Sequence, residues 1–327
     1  MRIPNGFLVA VLHFALCLAG MTAHAQPTVP KDKIPSDLSQ DLRTQIERLY
    51  SEDPVQRGNA VVSLGQMGSR AAPAVAFLVA MGHDHAPLRL VPMGVVNPDG
   101  EIARTSPARE AMNALVKIGK VAVEPLIVAL RDPDAYVRDN AVSALIGIDD
   151  SRALEPVISV MGDPDENVRQ NAAVAVAVLG ARSVERILAV LKSPDPNVRI
   201  GAAHALSMIR EERAVGPLTD ALKDSDANVR KGAADALGKI GPAAVEPLVA
   251  LSKDSDPVAR TNAAYALGAI ADIRAVESLI CLLHDSEQSV RQAASSALNT
   301  LTGESFGEDQ AKWREWLKKK AAPAATP

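Results

Sequence analysis

Several common signatures are scarce or missing from this chain. Aromatic residues make up 3% of it, and there are 2 cysteines in 327 residues. Cys17 lies in an N-terminal apolar run, so the rest of the chain holds Cys281 alone and can form no internal disulfide. Cys281 sits in the run Leu279-Ile280-Cys281-Leu282-Leu283 and is expected to be a small buried hydrophobe. Positive charge is not in excess: 35 Lys and Arg stand against 39 Asp and Glu, a formal net charge of −4. Phosphate neutralisation drives nucleic-acid binding, so nucleic acid is not expected as a partner. Beyond the N-terminal run no stretch reaches the length of a membrane-spanning helix, and stable membrane insertion is not expected. There is no nucleophile–base pattern and no glycine-rich phosphate loop. No cofactor is expected.

What remains is apolar and small. Hydrophobic residues form 47% of the chain, with Ala, Leu and Val prominent. That suits helices packed closely through short side chains better than an aromatic-rich sheet sandwich. The first 25 residues have the layout of a secretory leader. Arg2 gives the positive start, Phe7 to Leu18 the apolar run, and Ala23-His24-Ala25 the small-x-small cleavage site. The expected product is periplasmic or secreted and begins at Gln26. Phe14-Ala15-Leu16 before Cys17 does not resemble a lipoprotein box.

Internal repetition dominates the remainder. Asp165-Glu166-Asn167-Val168-Arg169, Asp195-Pro196-Asn197-Val198-Arg199 and Asp226-Ala227-Asn228-Val229-Arg230 spell one motif. Asp134 with Arg138, Asp256 with Arg260, and Glu287 with Arg291 extend it. The period is about 30 residues. Asp53 with Arg57 is an outlying copy, and Pro107 to Gly119 is a degraded one in which Arg109 is displaced by one position. The acidic residue can cap a helix, and Pro54, Pro196 and Pro257 fall where a first-turn N–H is dispensable. A second helix reads Val-x-Pro-Leu, as at Val123, Val215 and Val245, with proline tolerated only in the first turn. One such helix pair cannot bury its own apolar face, so neighbours must stack. The expected fold is all-α: a solenoid of two-helix units over 51–303.

The spelling Asp-x-x-Val-Arg…Ala-x-x-Ala-Leu-Gly-x-Ile, as at Asp226 to Ile240, resembles the HEAT-repeat family, specifically the phycobilisome-lyase-type HEAT-like repeats. The resemblance implies a superhelix with the arginine-bearing helices on its concave side. It does not imply one activity, because such repeats serve many roles. Two enzyme relatives of this kind are bilin lyases and deoxyhypusine hydroxylase. The latter holds iron through His-Glu dipeptides, and none of the 6 histidines here precedes a glutamate.

Around the array, 26–50 is expected to cap the first repeat through Leu38, Leu42, Ile46 and Leu49. The segment 304–327 is expected to close the last repeat with Trp313 and Trp316 and to end in a disordered tail. An insertion over 82–106 contains the turn Asn97-Pro98-Asp99-Gly100, which predicts a small hairpin between Val95-Val96 and Glu101-Ile102. At its start, His83-Asp84-His85 could contribute to a metal site. The recurrent acid and arginine (Asp134, Arg138, Asp165, Arg169, Asp195, Arg199, Asp226, Arg230, Asp256, Arg260, Glu287, Arg291) are expected to form a structural ladder. Counting from each arginine as zero, positions +3, +7 and +10 form the core and +1 and +5 point away from it. Val174, His204 and Tyr265 at +5 and Ile200 at +1 break a mostly polar line, and mark a candidate groove for a partner. Two functional classes follow: an exported, non-catalytic scaffold that binds a protein or peptide, and a metal- or cofactor-handling enzyme centred on His83–His85.

Overall fold

The computed structural model describes residues 27–86, 106–180 and 184–321. Among these the chain forms 17 α-helices and no strand. It divides into two compact units, Met1–Leu179 and Gly180–Pro327.

In the first unit, α1 (Gln40–Arg48) precedes the pairs α2 (Pro54–Gln66) with α3 (Val75–Ala80), α4 (Pro107–Ile118) with α5 (Val123–Ala129), and α6 (Ala135–Ile148) with α7 (Leu154–Ser159); α8 (Glu166–Gly180) begins the next. The second unit runs α9 (Val184–Val190), α10 (Pro196–Ile209), α11 (Val215–Ala221), α12 (Ala227–Ile240), α13 (Val245–Leu251), α14 (Pro257–Ile270), α15 (Val276–Leu282), α16 (Gln288–Thr302) and α17 (Gln310–Ala321). The long helices carry the arginines. α5, α7, α11, α13 and α15 each start after a single 3-10 turn, and Pro125, Pro217 and Pro247 each stand in the first turn of their helix.

Local chemistry accounts for the starts. The side chains of Asp53, Asp134, Asp195, Asp226 and Asp256 accept first-turn N–H groups of α2, α6, α10, α12 and α14. Asp165 does the same for Asn167 and Val168 at the head of α8. Glu287, one methylene longer, makes no such bond. The helix ends divide by residue. Gly119 and Gly241 have φ of 89° and 88°, whereas Asp149, Arg210 and Ala271 adopt the left-handed region at 51°, 56° and 57°. Of these three, alanine has no polar side chain to offset the strain.

The core is built from small residues on the long helices and branched ones on the short. In the second unit Ala202, Ala205 and Leu206 of α10, Ala233, Ala236 and Leu237 of α12, and Ala263, Ala266 and Leu267 of α14 are all buried. On the short helices Val215, Leu218, Val245, Leu248, Val276 and Leu279 are buried as well. Helices this close leave no room for extra atoms. A methyl on Gly268 would lie 2.8 Å from Ala297, and one on Gly238 2.9 Å from Ala269. Cys281 departs from expectation: it is exposed. Leu279, Ile280, Leu282 and Leu283 take the buried faces of α15 and its end, and Cys281 falls on the outer one.

The ends are sealed by apolar side chains. At the first, Leu42, Ile46 and Leu49 are buried while Leu38 precedes the helix, which Ser39 caps. Tyr50 donates to the Val29 carbonyl at 2.6 Å. At the other end Trp313 is fully buried, packs edge-on against Phe306 with centroids 4.8 Å apart, and donates to Gly307 O at 2.9 Å. The expected turn Asn97–Gly100 and its hairpin lie outside the described residues, as do the expected leader and the last residues of the tail.

Two exchanges three residues apart should have opposite signs. Ala271→Gly relieves left-handed strain and should stabilise by up to about 1 kcal/mol. Gly268→Ala overpacks the α14–α16 contact and should destabilise by about 1–3 kcal/mol. Urea unfolding of both variants checks this.

Candidate functional site

The arginines form a ladder, but the carboxylate each one grips is not the cap residue beside it. Arg138 donates from Nε and Nη2 to Asp163 at 2.7 and 2.7 Å, and from Nη1 to the Asp132 and Pro133 carbonyls at 2.8 and 3.0 Å. Arg199 repeats this with Asp224, and Arg260 with Asp285. Arg57 does so with Asp84, where both side chains are almost completely buried. Asp163, Asp224 and Asp285 each stand six residues before the next repeat's arginine, and each also accepts the N–H two residues on. Burial alone would raise the Asp163 carboxyl; the Arg138 bonds, the Asp165 N–H and the charges of Arg138 and Arg169 together outweigh that and hold it below the usual range. The capping expected of Asp134, Asp165, Asp195, Asp226 and Asp256 is present, but the tie between repeats is made by other acids, Asp163, Asp224 and Asp285, each two residues before a cap position. Its signal is present in the sequence as Asp-Pro-Asp or Asp-Ser-Asp at the same period, as in Asp163-Pro164-Asp165 and Asp224-Ser225-Asp226.

Not every arginine has this partner. Arg169 and Arg230 keep the carbonyl bonds to Asp163 and Pro164, and to Asp224 and Ser225. In the repeat after Arg169 the acid position is Ser193. Asp254, which follows Arg230, is bonded by Lys223 instead. Arg291 closes on Glu308 at 3.0 Å.

The loop candidate resolves differently. Asp84 is 1% exposed and directed at Arg57, so it is not placed beside the two histidines as a third ligand. His83 lies between two acids, Nε2 at 3.2 Å from Asp132 and Nδ1 at 3.6 Å from Asp134. His85 Nε2 is 3.0 Å from Asp134, and its ring stands 4.5 Å from that of Tyr136. Tyr136 Oη lies 3.0 Å from Ser106 Oγ. Among the described residues no group of three or more His, Cys, Asp and Glu is arranged to hold a metal ion.

The outward line of the long helices holds the remaining candidates. Val174 on α8, in the first unit, is 38% exposed, and Tyr265 on α14, in the second, is 53% exposed. Ile200 and His204 on α10 are half-buried. Burial, with Lys239 nearby, lowers the His204 imidazole. Val178, one turn beyond Val174, and Met208, one turn beyond His204, are also exposed. Positions +1 and +5 alone leave both out, although helical spacing places +9 on the same line.

Residues 123–184, 178–237 and 215–299 match the family described as HEAT repeats, together more than half of the chain. The chain belongs to the HEAT-repeat family. Among solved structures it is similar to human deoxyhypusine hydroxylase, at 23% identity over 81% of this chain and 97% of that one, with a TM-score of 0.34. It is similar to the complex of CpcE and CpcF of phycocyanin lyase from Nostoc sp., at 24% identity over 88% and 98%, TM-score 0.29. It is also similar to importin beta, at 16% identity over 96% and 49%, TM-score 0.45. No curated protein matches the chain. Among the described residues no helix is long and apolar enough to cross a membrane.

If Asp84 is a structural acid, Asp84→Ala strands a buried guanidinium and should cost about 3–5 kcal/mol in denaturant unfolding. A loss below about 1 kcal/mol would contradict the placement.

Proposed function

We propose that the protein is an exported, non-catalytic scaffold that captures a protein or peptide partner on the outward line of its arginine-bearing helices. The observation that carries this reading is the exposure of Val174 and Tyr265 at a position that is otherwise mostly polar, one on each unit. Apolar side chains held open on a rigid surface gain free energy when a partner covers them, at about 25 cal/mol per Å² of apolar area. Within the second unit, Ile200 and His204 stand half-buried at the +1 and +5 positions of α10. Extended solenoid surfaces are well suited to such binding, because every repeat adds another row of side chains to it. The leader over 1–25 supports a periplasmic or secreted location.

The test is capture from the exported fraction of the native host by wild-type protein and by a Val174→Asp, Ile200→Asp variant. Both changes sit on the outward line, so thermal unfolding should stay near the wild-type midpoint while capture of the partner falls at least tenfold. The recovered protein should begin at Gln26. Equal capture by the variant would overturn the surface assignment, and an intact N-terminus in functional protein would overturn export.

A further inference from the structure

Asp132 occupies the same place in its repeat as Asp163, Asp224 and Asp285, six residues before the arginine. It is 6% exposed and accepts the Asp134 N–H at 2.9 Å, as its counterparts accept theirs. Those counterparts each receive a guanidinium from the preceding repeat. Among the described residues Asp132 receives none: the preceding arginine position is Ala108, and Arg109 stands one place further on. The cation facing Asp132 comes instead from the turn Met81–His83, as the imidazole of His83.

We propose that His83 is a proton-operated rung of the ladder, which ties the turn at 81–86 to the start of α6 when charged and releases it when neutral. The geometry carries this. Both ring nitrogens face carboxylates, Nε2 that of Asp132 and Nδ1 that of Asp134. A neutral imidazole has one N–H and one lone pair, so one nitrogen would present its lone pair to an acid. Only the imidazolium has an N–H for each. The His83 imidazole is accordingly raised, first by its hydrogen bond to Asp132 and further by Asp134, against the lowering effect of burial.

Among the described residues the other charged groups nearby do not take over this role. Arg57 is engaged by Asp84, and Arg138 by Asp163. Arg109, Glu110 and Lys117 on α4 and Asp139 on α6 belong to the packed elements, but the interactions that move His83 are those of Asp132 and Asp134. His85 shares Asp134 and rests on Tyr136.

The direction with pH follows from the raised value. The rung contributes fully below the ordinary imidazole value of about 6.5 and is lost as pH rises through the higher folded value. Arginine rungs keep their charge over that range. Lys223 on Asp254 also stays charged there, its ammonium raised first by the Asp254 hydrogen bond. The first unit therefore holds one junction that loosens toward alkaline pH while the others stay closed. This inference is independent of what the surface binds.

The test is an NMR titration of the His83 ring in the purified protein, together with amide exchange at Asp84 and His85 from about pH 5.5 to 8.5, a span that brackets the imidazole range, corrected for intrinsic rates. Wild-type His83 should titrate above about 6.5, the ordinary imidazole value, and Asp132→Asn should bring it down. Protection at Asp84 and His85 should fall across the titration in wild type, because the neutral ring keeps an N–H for only one of its two acids. It should stay level in His83→Lys, whose charge persists. A wild-type His83 that titrates at or below about 6.5 would overturn the proposal, and so would an equal loss of protection in the lysine variant. Should a variant fail to fold, the wild-type titration decides alone.

Discussion

The structure depends on one recurring interaction: a guanidinium from one repeat gripping a carboxylate of the next while its third nitrogen holds two carbonyls of its own loop. A solenoid has few long-range contacts, so each repeat must be registered against its neighbour locally. The small residues of the long helices supply burial but little direction, because alanine faces slide past one another. The planar fork fixes position, since it donates in two directions at defined angles. The acid it grips also holds the loop leading into the next helix, and the cap residue two places on starts that helix. Three functions thus sit within a few residues: the tie, the loop and the start.

That arrangement explains why the fold is so legible in the sequence. Val168, Arg169 and Ala172 recur with their counterparts at a fixed period, and the helix starts at Asp195-Pro196 and Asp256-Pro257 announce themselves. Prolines such as Pro217 mark the first turn of the short helices. The pairing of the acids is harder to read. Asp195 and Arg199 are near neighbours in sequence, which invites the inference that they pair. In the structure Asp195 faces the N–H groups of its own helix, and Arg199 reaches past it to Asp224. Helical spacing relates residues on one helix and says nothing about which acid of the next repeat lies opposite.

The candidate sites are less legible, for different reasons. His83-Asp84-His85 suggests a ligand set because three donors adjoin in sequence. Successive residues in a turn point in different directions, and Asp84 turns inward to Arg57 while the histidines turn to Asp132 and Asp134, with His85 and Asp134 49 positions apart. No local pattern encodes that meeting. The burial expected of Cys281 fails although four apolar neighbours surround it, because a short helix can bury most of its circumference and still leave one outer position. The outward line, in contrast, follows directly from the roughly 100° step of a helix, and Val174 and Tyr265 are visible in the sequence as exceptions to polarity, whereas Val178 and Met208, a turn further on, fall outside positions +1 and +5.

The most direct test of the ladder is a double-mutant cycle on Arg260 and Asp285, the pair joining α14 to the loop before α16. Arg260→Met, Asp285→Ala and the combination are compared by denaturant unfolding. If the rung fixes the register of neighbouring repeats, the coupling should be about 2 kcal/mol, with the double variant closer to wild type than the sum of the singles. A coupling within about 0.5 kcal/mol of zero would mean that alanine packing sets the register and that the arginine only decorates it.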